Sequence, residues 1–461
     1  IINNVTFHSS QKAAVADFDL MLCVLPLLRS VSIYNICTLG TRLPLHLLAI
    51  TAIMKKFKDI TKIEYLSKDI LEEEFIKSLR LMYSCQVLLA STRVDIKDRF
   101  VTTPSFVQRC FTLLSVILLL GLDYVVIHKY DTILFDNETI YYLSTCVTGL
   151  QTLTFICNII HVRFRNGDAN VEFFVKLQQI DRCMNVHRNK SITGLLVTTN
   201  IFTLASILIL FIGLLGLAGA KGTAAFWPYM GIAYSQLSFV MELVCCSNIF
   251  MYFYIRARFL NSIIKNYLEQ KKTQEILYSK KNCLSSLFAT KIVMRRLAAE
   301  THNFVTSDTD VYLKQLMDGF FKFQDIYKFQ VFMFCCKLVG SSILTFEFLL
   351  FAVQNDTIGL WDSLTPSFFT VIDLVMAILL GIRCEVFMRE VKETKRLVIT
   401  VMSIHYDGRL REKSKRMLKL IDETPPRFSV YDMWQLDANI LLQMFMLVTG
   451  LIVTQMQFAF L

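Results

Sequence analysis

Seven separate blocks of mostly apolar residues constrain this chain more than any other feature. They run from Cys110 to Ile127, Ile140 to Ile160, Gly194 to Ala218, Trp227 to Ile255, Phe329 to Val353, Pro366 to Ile382 and Ala438 to Leu461. A helix of about 20 apolar residues crosses the hydrocarbon layer of a bilayer. In lipid the backbone must satisfy its own hydrogen bonds, which leaves helices or closed barrels as spanning structures. Blocks of this length predict helices, so the expected fold class is an all-α membrane protein with seven transmembrane helices.

Composition agrees. Of the 461 residues 54% are hydrophobic and 19% charged, with 37 Phe, and the mean hydropathy is +0.48. Soluble domains carry about a quarter charged residues. Thirteen cysteines fall mostly in or beside apolar stretches, where a thiol acts as a small hydrophobe, and none forms a CxxC pair. No disulfide framework is expected. The seven histidines lack ligand spacing, so no metal or other cofactor is expected, and no catalytic constellation points to an enzyme.

The net charge of +10 would suggest a nucleic-acid partner on a soluble protein. Here its distribution sets topology, and no nucleic-acid partner is expected. KYDTILFDNET, between the first two blocks, sets Lys129 against Asp131, Asp136 and Glu138, and QNDTIGLWDSLT, between the fifth and sixth, has no basic residue. The alternate loops are basic, with Arg163, Arg165 and Arg182 in one, Arg256, Lys271 and Arg295 in the next, and Arg389, Arg396 and Lys419 in the third. Basic loops stay in the cytoplasm, which places the N-terminus inside and the C-terminus outside. Glycosylation sequons at Asn137 and Asn355 fall in the outer loops; those at Asn4 and Asn189 do not. Leu20 to Met54, broken by Arg29, Gly40, Arg42 and Pro44, reads as interfacial rather than spanning.

The inner loops are expected to be helical. Leu260, Ile263, Ile264 and Tyr267 recur at helical spacing beyond the fourth span. The sixth span continues through EVFMREVKETKRLVITVM, Tyr406-Asp407-Gly408 marks a turn, and LREKSKRMLKLI makes a short helix that Pro425-Pro426 stops. Asp437 is placed to cap the final span. The charges on these extensions read either as solvated faces or as a layer that packs subunits together.

The C-terminal stretch RFSVYDMWQLDANILLQMFMLVTGLIVTQMQFAFL resembles the last segment of insect gustatory receptors, whose motif is Thr-Tyr, five residues, then Gln-Phe. Gln457-Phe458 match its end, while Gly450-Leu451 stand in the Thr-Tyr places. IRARFLNSIIK (Ile255 to Lys265), VEFFVKLQQIDRCM (Val171 to Met184) and FIKSLRLMYSCQVLLASTRVDIKDRF (Phe75 to Phe100) are similar to other parts of that family, the last of them to moth and butterfly members. The resemblance covers 75–461 and leaves 1–74 as a divergent N-terminal region. It implies a ligand-gated, non-selective cation channel for small-molecule tastants in the plasma membrane of sensory neurons. The partners it implies are the lipid bilayer, permeant cations and other copies or other gustatory receptors, in a homo- or hetero-tetramer. The last helix, 438–461, lines the pore, and 256–328 with 389–437 form a cytoplasmic anchor. The ligand lies among helices two to six, in a pocket opening outward. A seven-helix G-protein-coupled receptor or a transporter is the alternative class, the former requiring the N-terminus outside.

On the last helix, Gly450, Val453 or Thr454, Gln457 and Leu461 share one face. With the motif, Gln457 becomes the expected pore lining and Phe458 the adjacent gate; otherwise Gln457 hydrogen-bonds a neighbouring helix. Ionisable groups inside spans are costly and invite a functional reading or a buried structural pair. Glu347 and Asp373 are the preferred pocket carboxylates, with Tyr234 and Gln236 in the fourth span. Trp227 and Tyr142 join them from the outer ends, where aromatics also serve as an interfacial belt. Glu242 and Lys337 are expected to pair.

Overall fold

A computed structural model describes residues 70–125, 138–165, 167–183, 190–220, 223–280, 304, 307–355, 360–437 and 439–460. The interfacial reading of Leu20 to Met54, the sequon at Asn137 and the terminal Leu461 lie outside the described residues. Ten helices organise the rest: α1 (Glu73–Leu88), α2 (Phe106–Val125), α3 (Glu138–Ile160, closed by a π turn at His161–Arg165), α4 (Gly167–Cys183), α5 (Lys190–Ala220), α6 (Thr223–Lys280), α7 (Thr309–Asn355), α8 (Leu360–Ile404), α9 (Arg409–Glu423) and α10 (Ile440–Phe460). Five of them, α2, α3, α5, α6 and α7, are long and apolar enough to cross a membrane. The sixth expected span lies within α8, and 440–460 of the seventh form α10, where 442–454 are a shorter apolar stretch.

The polarity of α2 is inside out. Thr112, Ser115, Leu119 and Asp123 are buried, whereas Leu113, Leu114, Ile117, Leu118 and Leu122 are exposed. Residues 112, 115, 119 and 123 share one helix face. An apolar outer face with polar groups turned inward is what lipid demands, because intramembrane polar groups need partners inside the bundle.

At 58 residues, α6 is roughly 87 Å long at 1.5 Å per residue. A hydrocarbon layer of about 30 Å accounts for only part of that. The remainder projects as a helix, and α7 and α8, with 47 and 45 residues, do the same. Thus the expected helical continuation of the fourth and sixth spans, and the helix leading into the fifth, are all present. In its most apolar stretch 89% of α6 is buried, against 22% of α2. It is therefore the axis on which α2, α3, α5, α7 and α8 pack.

The chain turns where expected at Gly408, which has a positive φ of 100° suited to glycine. The following helix α9 ends at Glu423, ahead of Pro425-Pro426. Asp437 Oδ1 accepts the Asn439 N–H at 2.8 Å and so opens α10. Two short hairpins went unpredicted: β1 (Asp95–Lys97) with β2 (Phe100–Thr102), and β3 (Ser429–Val430) with β4 (Trp434–Gln435). Each turns through two residues at positive φ, Asp98-Arg99 and Tyr431-Asp432. Without glycine at these positions the turns left no clear sequence signal. At the end of α1, Ala90 is left-handed (φ 57°) and Ser91 N–H reaches back to Gln86 O at 2.9 Å, which swings residues 91–94 into the bundle.

Candidate functional site

Three helices each contribute one polar side chain to a common point. Lys337 Nζ of α7 lies 2.8 Å from Asp373 Oδ2 and 2.9 Å from Oδ1 on α8. From α6, Gln236 Nε2 donates to Asp373 Oδ1 at 2.8 Å, and its amide oxygen accepts from Lys337. All three are only 1% exposed. Buried polar groups need partners, and these three find them in one another. Phe239 supplies a ring face 5.4 Å from the ammonium. Beyond the triad, Thr345 and Thr370 hydrogen-bond at 2.8 Å between the same two helices, α7 and α8.

This corrects the expected pairing of Glu242 with Lys337. Glu242 is instead neutralised by Arg93, which lies ahead of the first span. Gln86 Nε2 donates to Glu242 Oε2 at 3.0 Å, Arg93 Nη1 donates to Asn170 Oδ1 at 3.3 Å, and the guanidinium sits 4.0 Å over the Tyr327 ring. Arg93 was missed because it falls outside every apolar block. Its flanks, Leu88-Leu89-Ala90-Ser91-Thr92 and Val94, are apolar or small, and that is the signal of a buried arginine. Arg163 also departs from expectation. Rather than a solvated loop charge, it is 2% exposed, donating to Thr92 O at 2.7 Å and Thr112 Oγ1 at 3.0 Å.

Of the expected pocket residues, the structure brings Gln236 and Asp373 together and commits both to Lys337. Tyr234 is partly buried and packs edge-on against Phe155 of α3 at 6.0 Å. Glu347 is partly buried on α7, about 15 Å along the helix from Lys337. Tyr142 is exposed, with its ring against Tyr141. Trp227 lies on α6 and Asn355 ends α7, and their side chains are outside the described ones.

The projecting ends of α6 and α8 are joined within the chain. Asn261 Nδ2 donates to Glu390 O at 2.9 Å, and Thr394 Oγ1 donates to Asn261 Oδ1 at 2.7 Å. Lys265 bridges to Glu393 at 3.0 Å. Hydrogen bonds from Arg396, with help from Lys265, hold the Glu393 carboxyl down at about 2. Asp181 of α4 takes a two-pronged ion pair from Arg256, each contact 2.9 Å, and accepts from Tyr252 at 2.9 Å. Lys413 of α9 donates to the carbonyls of Phe304 and Ser307. These charges are structural links as well as solvated faces.

Helix α10 is buried at Ile440 and Met444, whereas Leu442, Phe445, Met446, Leu447 and Val453 are exposed. Thr454 is exposed, with its hydroxyl on Gly450 O at 2.8 Å, and Gln457 is exposed too. Phe458 belongs to α10, its side chain outside the described ones.

A family model described as 7tm Chemosensory receptor matches residues 79–461. No curated protein matches the chain.

Proposed function

Because the chain belongs to the 7tm chemosensory receptor family, we propose that this multi-pass membrane chemoreceptor is a gustatory receptor acting as a ligand-gated, non-selective cation channel. The observation that carries the reading is α10: Ile440 and Met444 anchor its start in the bundle, while Leu442, Phe445, Met446, Leu447, Val453, Thr454 and Gln457 are exposed. A helix so placed is suited to line a pore shared with other copies, where an amide partly replaces ion hydration and apolar groups close the path. Val453, Thr454, Gln457, Phe458 and Leu461 are its pore and gate residues.

In this reading seven helices span the plasma membrane, the basic loops lie in the cytoplasm and the C-terminus lies outside. The seven-helix unit is 75–461, and the projecting parts of 256–328 and 389–437 form an anchor joining four subunits, of one kind or mixed. A small tastant binds among helices two to six, near Tyr234, Gln236, Glu347 and Asp373, with Trp227 and Tyr142 towards the outside. The polar triad supports this, since a ligand that exchanged hydrogen bonds with it would act on α6, α7 and α8 at once. Cells expressing the chain, alone or with a second receptor, are expected to pass cation current when given sugars or plant compounds. Gln457→Leu should change the sodium-to-potassium permeability ratio or the open probability. Unaltered permeation and gating in that variant would overturn the pore assignment.

A further inference from the structure

A second feature of the bundle lies away from the triad. Between α1, α5 and α6 is a cavity of about 50 Å³, lined among others by Met82, Tyr83, Arg93, Leu196, Asn248 and Ile249. A single water needs roughly 10–15 Å³ of such space, so the cavity holds several water-sized groups. Along α6, Asn248 is about 18 Å from Gln236, and none of the pocket residues named above lines this space.

The walls are apolar over most of their extent, and one polar group is left unanswered. Arg93 is 3% exposed. Its Nε pairs with Glu242 and its Nη1 with Asn170. Its Nη2 has no acceptor among the described residues. A buried donor without an acceptor costs about 1–3 kcal/mol, so an occupant that supplies an oxygen is favoured there. The charge on that occupant is also constrained. Arg93 is already balanced by Glu242, and a second anion would put an unpaired negative charge in a low-dielectric site.

We infer that this cavity is a binding site for a small neutral solute with an apolar body and one hydrogen-bond acceptor, a short-chain alcohol, ketone or ester. The acceptor oxygen takes the free Arg93 Nη2–H, and the alkyl part contacts Met82, Leu196 and Ile249. Binding here fastens α1 to α5 and α6, and it does not depend on the chain conducting ions.

The test uses the full chain purified in detergent and 3-azibutanol, a four-carbon alcohol carrying a photoreactive diazirine. Saturable adducts are expected on Met82, Tyr83 or Ile249, mapped by peptide mass spectrometry. Excess 1-butanol or 2-butanone should cut them at least fivefold, with butanoate at equal concentration having little effect. Leu196→Phe, which fills the space, should abolish the adducts. Arg93→Lys, which keeps the charge beside Glu242 but removes Nη2, should weaken competition by 2-butanone at least threefold. Adducts that are absent or non-saturable mean the cavity holds only water and overturn the inference. So does butanoate competing as well as 1-butanol. Competition on the unmodified chain decides the matter even if both variants fail to fold.

Discussion

The Lys337–Asp373 pair makes a sharp energetic prediction. Both side chains are 1% exposed, and the ammonium lies 2.8 Å from the carboxylate. Lys337→Met leaves a carboxylate in the bundle with only the Gln236 amide, and Asp373→Leu leaves an ammonium there. Breaking a buried pair by removing one partner costs roughly 3–5 kcal/mol. A second route gives a similar ceiling. The orphaned group can escape by neutralising, and forcing an ordinary carboxyl or ammonium neutral at pH 7 costs about 4–5 kcal/mol at 1.36 kcal/mol for each pH unit. Each single variant should therefore lose about 3–5 kcal/mol. The double variant Lys337→Met/Asp373→Leu has no charge left to strand, and replacing a buried pair by apolar groups of similar volume is often neutral or better. It should lie within about 2 kcal/mol of the original, a coupling far above the few tenths seen between independent sites. The assay is a four-protein cycle of equilibrium unfolding in mixed detergent micelles, followed by helicity. Single variants that each cost less than about 1 kcal/mol, or losses that simply add in the double, would refute the claim that this pair is dry and mutually dependent.

Further outcomes follow from the projecting helices and the start of α10. With the folded-state Glu393 carboxyl held down at about 2, its contribution to stability is complete above the ordinary carboxylate range and is lost as pH falls towards 2; thermal midpoints measured from pH 6 downward should fall less steeply in Glu393→Gln, and identical slopes would refute the link. At Gly381 an added methyl would sit 3.0 Å from the Asp437 carbonyl, backbone that cannot rotate away. Gly381→Ala should therefore destabilise the chain by about 1–3 kcal/mol, despite the better helix propensity of alanine. If α10 lines the pore, the same variant should also shift ligand-gated current; a more stable protein with unchanged gating would show that α8 and α10 are not held so closely.

What the sequence made legible was whatever local pattern determines. Five of the seven apolar blocks coincide with helices long and apolar enough to cross a membrane, Leu260 to Tyr267 marked the continuation of α6, and Gly408, Pro425-Pro426 and Asp437 marked turn, stop and cap. Pairing between distant residues was not legible. Glu242 and Lys337 were both visible as costly intramembrane charges, yet each took a different partner. One chain offers no rule for which helix faces which, and the true partner of Glu242 lies 149 positions away, outside any span. The candidate site was half visible: Gln236 and Asp373 stand out as polar groups in apolar blocks, whereas no local pattern ties Lys337 to them. The hairpins at 95–102 and 429–435 were hidden because their turns use Asp, Arg and Tyr at positive φ.

These pairings share one axis. Along α6, Gln236, Glu242, Asn248, Arg256 and Asn261 each engage a different part of the chain: the triad, Arg93, Arg383, Asp181 and Thr394. Between helices in lipid, apolar contact discriminates weakly, because a neighbouring side chain is little different from an acyl tail. A polar group is selective, since any other rotation or register strands it in hydrocarbon. The succession of polar residues down α6 thus fixes how α4, α7, α8 and the Arg93 segment sit around it, more than the surrounding Phe and Leu packing does. It also couples them. A displacement of α6 that broke the triad would carry strain to the Arg93–Glu242 pair and on to Asn261, where α6 and α8 are hydrogen-bonded. A rigid rod of this kind, gripped at five levels, can carry a small change at one end of the bundle to the other.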